Sequence, residues 1–414
     1  MKKRKKNSFI LILVLILVVG FGNVGESAGR HNKKNNFVME NTENSYELKK
    51  VVKQIEYPKS QTSSKKWKKG KNKKYEYPVD YDNMEWKKYK NHTQMIEVCT
   101  VPDDVVKNAT TEELLDLVLN YPLLCDIFAY NSCEEGVAAV ASQFNAFGEL
   151  INRDDVSDIF LQRYLETEIK DATADLEKNF DKVSEVVVLE TVLAQEDIVD
   201  ELTDEEQDEL TEAIEENIKV KEQTNLFQDN IATFYEVSKK NGVSKKLKLK
   251  EYRVDKSEKV NASSSIYVKT PNGTKVEVQK NKYKGSSWAE SLDKEFKNAY
   301  PKATFLSSSD NRYNCHSYAW YSASTSNRYW MSNPKAYVSD GSYKYVGTTA
   351  TASSQKVVYK YQKVPNDMWI HSGISVNKTG TIKSKWGQGP LMQHMTAYCP
   401  YFGQYNVVQY YKKK

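Results

Sequence analysis

The chain reads as an α+β protein: an all-helical region, then an α+β region built on a small antiparallel sheet. Three observations predict this. Between residues 84 and 240, apolar side chains recur at intervals of three and four, the spacing of a helix with one buried face. From residue 265 onward they alternate singly, the spacing of half-buried strands. Helices first and strands afterwards describe segregated rather than alternating elements, and therefore an α+β arrangement.

The chain opens with Met1-Lys2-Lys3-Arg4-Lys5-Lys6, an apolar run from Phe9 to Gly22, and small residues at Ser27-Ala28-Gly29. That is the pattern of a cleaved signal peptide over residues 1–29. An apolar run of about fourteen residues is short of the roughly twenty that span a bilayer, although retention as an anchor stays open. Residues 30–83 are polar and basic, densest at Lys65-Lys66-Trp67-Lys68-Lys69-Gly70-Lys71-Asn72-Lys73-Lys74, and are expected to be a disordered basic linker. Outside a cell such a block either lies against anionic wall polymer or lipid headgroups, or is plain solvated chain. The export signal argues against nucleic acid as a partner. After signal cleavage no membrane span is expected, and the mature protein is expected to be secreted or cell-wall associated.

The helical region, 84–240, starts its periodic pattern at Thr110, where Thr110 and Glu113 have the spacing of a capping box. Leu114, Leu117 and Val118 continue one stripe until Tyr121-Pro122 breaks it. Further helices are expected from about Glu134 to Leu150, from Val156 to roughly Glu168, over the stripe Leu176 to Leu189, after the second capping-box pair Thr203/Glu206, and through Ile231 to Val237. Its carboxylates fit a solvated face; no loop here has the acidic spacing and central glycine of a calcium site. Nothing in it marks catalysis, so packing or interaction is its expected role.

A linker over 241–264 leads into the region 265–414. Residues 265–270 and 274–279 alternate on either side of Pro271-Asn272-Gly273, predicting a hairpin around Asn272-Gly273. Trp288, Leu292, Phe296 and Ala299 predict a helix that Pro301 ends. Strands are expected at Val357–Tyr361, Trp369–Val376, a short segment before Gly387, and Tyr405–Tyr411. Five cysteines are an odd count for an exported chain and allow one or two bridges plus a free thiol, or no bridge at all. They are too sparse to staple the fold.

Chemistry concentrates at Asn314-Cys315-His316-Ser317-Tyr318-Ala319-Trp320, and three of the five histidines lie in this last quarter. A polar stretch precedes Cys315 and an apolar one follows, which reads as a loop entering a helix, with Asn314 as its cap. A thiolate attacks an acyl carbon while an imidazole takes and returns the proton. Cys315 is therefore the candidate nucleophile and His371, on a strand, the candidate base. His394 would orient His371. His316 cannot face the same way as Cys315 on a helix and is not assigned a part. No cofactor or metal is expected.

The order Asn314-Cys315-His316-Ser317, then Ile370-His371-Ser372-Gly373-Ile374, then His394, resembles the papain-like superfamily of cysteine hydrolases, with NlpC-type cell-wall peptidases and amidases as the nearest branch. That resemblance, over roughly 265–411, implies a papain-like α+β domain hydrolysing an amide bond in peptidoglycan or another peptide, with Cys315, His371 and His394 in the catalytic positions. The family usually has Asp-Cys-Ser-Gly where this chain has Asn-Cys-His-Ser, a departure that bears on substrate more than on fold. Residues 381–394 resemble a segment of uncharacterised bacterial proteins with this core, and 84–165 a helical region of secreted Gram-positive proteins. Three other readings share these residues: a zinc site made by Cys315, His371 and His394, a binding module that has lost its chemistry, and a Cys315–Cys399 bridge that leaves no nucleophile.

Overall fold

The computed structural model describes residues 48–60, 75–79, 84–167, 169, 176–223, 233–249, 266–281, 283, 285–361, 368–403 and 406–414. The expected signal peptide, the basic run 65–74 and most of the expected 241–264 linker lie outside the described residues. No described helix is long and apolar enough to cross a membrane.

Helices occupy the described chain up to residue 246, and strands dominate from 266, as the change of period predicts. Both capping boxes form. Thr110 accepts from the Glu113 amide while Glu113 accepts from the Thr110 amide, opening the helix Thr111–Leu119. Thr203 and Glu206 do the same for Asp204–Glu222. Each satisfies two amides that a helix start leaves without partners. The single helix expected over 134–150 is instead two, Cys133–Ala141 and Asn145–Ile151. They are separated at 142–144, where the Ser142 hydroxyl turns back to the Ala139 carbonyl. Within the segment expected to be disordered, 30–83, the described residues are 48–60 and 75–79. Leu48–Lys53 is a helix with Leu48 and Val52 buried, and Val79 is buried as well. Lysine-rich composition hid this short apolar spacing.

Residues 266–414 carry nine described strands. β1 (Ile266–Lys269) and β2 (Lys275–Val278) form the expected hairpin, with Gly273 at φ +90° in the turn. The other seven are β3 (Thr304–Ser307), β4 (Tyr343–Gly347), β5 (Lys356–Tyr361), β6 (Met368–Ser375), β7 (Thr381–Lys385), β8 (Leu391–Met395) and β9 (Asn406–Lys413). They make one open, fully antiparallel sheet in the order β3-β8-β7-β6-β5-β9-β4. β3, β4 and β8 went unread in the sequence: β3 and β4 are short, half-exposed edge strands, and β8 is a five-residue strand without a clean alternation of buried and exposed positions.

The sheet separates two cores. Val357, Tyr359, Ile370, Ile382, Trp386 and Met392 share one continuous apolar core with the helices, including Phe128, Val137, Leu189 and Phe296. Val358, Trp369 and Tyr411 face the other way and pack with Trp320, Met331, Tyr337 and the hairpin valines Val268, Val276 and Val278. The helical region therefore packs directly on one sheet face, and the Trp320 segment and hairpin cover the other. Contact on the helical side is close: a Cβ on Gly387 would come within 2.4 Å of the Ala129 carbonyl, and Gly387 has φ +51°.

A buried polar knot ties the helices to the sheet region. The His92 ring meets the Asp126 carboxylate at 3.0 Å and the Phe402 carbonyl at 2.8 Å. The Tyr300 hydroxyl donates to Asp126 at 2.8 Å. Removing one partner of a buried, hydrogen-bonded group strands the others away from water. Asp126→Ala is therefore expected to lower unfolding free energy by about 3 kcal/mol or more, read from urea denaturation. A loss below about 1 kcal/mol would show that the knot contributes little.

Candidate functional site

Asn314 fixes the segment that carries Cys315. Its side-chain amide donates to the Asn131 side chain and the Met331 carbonyl, both at 2.8 Å. Its carbonyl accepts from the amides of Ser317 at 3.0 Å and Met331 at 3.2 Å. All of its bonding capacity is used, so Asn314 is the cap the sequence predicts. The helical stretch it opens is short and becomes a π-turn over Ser317–Tyr321, too short for a large dipole contribution to the thiol.

Cys315 is a free thiol, 1% exposed, as the other four cysteines are also unbridged. No Cys315–Cys399 bridge exists. Burial pushes the Cys315 thiol up to about 12, and the Glu135 carboxylate adds to this. The backbone amides of Ser372 and His316 and the Lys385 ammonium pull the other way. The ring of His316 is hydrogen-bonded to the Ser372 hydroxyl at 2.8 Å, which also accepts from the Trp320 indole at 3.0 Å. Ser372 thus faces the segment that carries the thiol.

Successive strand residues point to opposite faces. His371, one residue before Ser372, consequently faces the helical side. It sits across from Tyr359 in the β5–β6 pairing, and its ring stacks on Tyr401 with centroids 3.5 Å apart. A bulge at Ile370 interrupts the pairing beside it. Both ring nitrogens of His371 are buried without a hydrogen-bond partner among the described residues. Burial, with smaller contributions from His394 and His316, holds its pKa well below the ordinary imidazole range.

His394 lies on the same face. Its Nδ1 donates to the Met395 carbonyl at 2.9 Å, and its Nε2 accepts from the Ser384 hydroxyl at 2.7 Å and the Trp386 indole at 3.3 Å. One neutral tautomer satisfies all three bonds. Burial lowers its pKa to about 4, as it does for His316.

The fold buries Cys315, His371 and His394 alike, but His371 and His394 face the helical side of the sheet while the Cys315 segment meets Ser372 on the other. No hydrogen bond joins His371 to Cys315 or to His394. Tyr401 connects the halves: it stacks on His371, its hydroxyl donates to the Ala129 carbonyl, and it is near enough to Cys315 to feel the charge of the thiolate. Among the described residues no group of three or more His, Cys, Asp and Glu is placed to hold a metal ion. Sequence reasoning missed Asn131, Glu135, Ser372, Ser384, Lys385 and Tyr401. Only the position of Ser372 beside His371 and of Lys385 in a strand gave any signal.

No protein-family model matches the chain, and no curated protein or solved structure is similar to it at a significant level.

His316, His371 and His394 set a pH dependence. Their folded pKa values lie below the unfolded value of about 6.5, so the unfolded chain binds their protons first. Their contribution to stability is complete above about pH 6.5 and is lost as pH falls toward 4. Glu135, held up at about 7 by burial, keeps a proton the unfolded chain releases and offsets one of the three. A net uptake of about two protons on unfolding is expected between pH 4.5 and 6.5, measured as the slope of urea-derived stability against pH. His394→Gln should reduce that slope by about one proton.

Proposed function

We propose that the chain is an exported cysteine hydrolase that cleaves an amide bond, with cell-wall peptides as the substrate class. Cys315 is the nucleophile and His371 the base. The observation that carries this reading is the bare imidazole of His371. A fully buried ring with two unpartnered nitrogens costs stability that packing does not return, and a reacting proton gives it a use. The thiol gives its proton to His371, and the sulfur attacks the carbonyl carbon. The tetrahedral intermediate collapses as the leaving amine takes that proton, and water then hydrolyses the thioester. His394 keeps His371 neutral by proximity, while Ser384, Trp386 and Met395 hold His394 itself. The resemblance of residues 314–317, 370–374 and 394 to NlpC-type enzymes supports the amide substrate. Because Cys315 is sealed and not bonded to His371, turnover requires local opening, with the Asn131 segment moving off Asn314.

The sealed sulfur favours a second reading, a cell-surface binding module without chemistry. Native protein is to be treated with iodoacetamide and mapped by peptide mass, and incubated with peptidoglycan while new amino groups are counted. Hydrolysis should appear, Cys315 should be alkylated with loss of that activity, and Cys315→Ala and His371→Ala should each lower the rate by at least ~1000-fold. Full activity in Cys315→Ala would end the proposal. A Cys315 that resists alkylation in protein that binds but does not cleave peptidoglycan would establish the binding module.

A further inference from the structure

Residues 266–414 carry 21 lysines and arginines against seven aspartates and glutamates, so a partner attracted to this region is acidic. Part of the excess sits where the proposed chemistry does not reach, at the edge of the sheet formed by β5, β9 and β4. On the face turned to the hairpin, register sets Lys356 opposite Tyr411, Tyr411 opposite Tyr345, and Lys413 opposite Tyr343. Cross-strand partners lie on one face, so these residues form one patch. The Tyr345 and Tyr411 rings are 5.8 Å apart, and Trp320 meets the Tyr343 ring from the core at 5.2 Å. Tyr345 is 51% exposed, and Lys413 is exposed as well.

Lys356 is half-buried, with Nζ 5.7 Å from the centre of the Tyr343 ring. No hydrogen bond or ion pair reaches it among the described residues. An ammonium drawn out of water ordinarily has a counter-charge; here burial acts alone and lowers its pKa to about 8. Asp340, in the turn before β4, cannot serve. Its oxygens already accept from the Thr270 hydroxyl and the Ser342 amide.

The other face of the same edge repeats the imbalance. Lys344 and Lys412 stand directly opposite each other, both exposed, and like charges so placed destabilise a sheet. β4 is also the last strand in the order, and no described strand pairs with its outer edge. Backbone groups along that edge are open to an added strand. Lysines on an edge discourage pairing with a second copy of it, but that role needs neither a half-buried ammonium nor a platform of tyrosines.

We propose that the β4 edge binds an acidic peptide in extended form, added to the sheet as a further strand. Side chains of a strand alternate between faces. Carboxylates on one side of the peptide therefore meet Lys344 and Lys412, and those on the other meet Lys413 and the Tyr345 ring, with Lys356 behind it. The open backbone edge selects a peptide over an anionic glycan or polyphosphate, which cannot continue a ladder. None of these residues belongs to the proposed hydrolase site, so the two readings stand or fall separately.

The test titrates the full chain against a fluorescein-labelled, end-blocked eight-residue peptide of alternating Glu and Thr, read by fluorescence anisotropy. Binding is expected, weakened by at least ~10-fold when Gln replaces Glu, when alternate peptide amides are N-methylated, and in Lys344→Gln/Lys412→Gln. That double variant removes a repulsive pair, so its Tm is expected to be unchanged or raised. Lys356→Met should weaken binding in the same sense. No binding at millimolar peptide overturns the proposal and leaves the lysines as guards against edge pairing. Binding that N-methylation does not weaken, or that polyphosphate matches, overturns it in favour of a polyanion surface.

Discussion

The carboxylate of Asp126 is the constraint on which the arrangement of the molecule depends. It lies in the segment 124–129, among the helices, yet its partners come from elsewhere: His92 from an earlier helix and Tyr300 from the end of the Ser286–Ala299 helix. The other nitrogen of His92 reaches Phe402, and the His92 amide donates to Ala397. One buried group therefore fixes the helical region against the segments that lead into and out of the sheet. Apolar burial supplies most of the stabilisation here, at about 1.5–3 kcal/mol for each large side chain, but it is not directional. The knot supplies direction, because an oxygen or nitrogen in this core must find its own partner or remain without one.

That docking determines the chemistry available to the histidines. By covering one sheet face, the helices remove water from His371 and His394 and keep both rings neutral. The same layer brings Asn131 onto Asn314 and Glu135 toward Cys315. A region with no catalytic signature of its own thereby contributes to the burial and electrostatic environment of the thiol. Burial dominates the ionisation of Cys315, the Ser372 amide opposes the burial effect, and Glu135 adds to it.

The fold was largely legible in the sequence because its signals are local. Capping boxes at Thr110 and Thr203, the turn glycine at 273 and the change of period near 265 each act within a few residues. The 134–150 helix and the helix at 48–53 were misread where local composition and local geometry disagree. At the site, legibility stopped at residue identity. Cys315, His371 and His394 are all buried, but what each touches depends on contacts between residues far apart in sequence. Asn131 and Asn314 are 183 residues apart, and no periodicity reports such a pair.

The relation between His371 and Cys315 shows why spacing alone could not define the site. A side chain's face follows from its parity along the strand, and parity is counted from a reference that only the packed structure supplies. With Ser372 bonded to His316 and Trp320, His371 must take the helical face, and the bulge at Ile370 adjusts that count within β6. A shift of one residue would exchange the two, placing the imidazole beside the sulfur and the hydroxyl in the helical core. Among the described residues β6 and β7 pair only at Ile374–Lys383 and Ser375–Ile382, and the Tyr401 ring is stacked on His371 on the helical side.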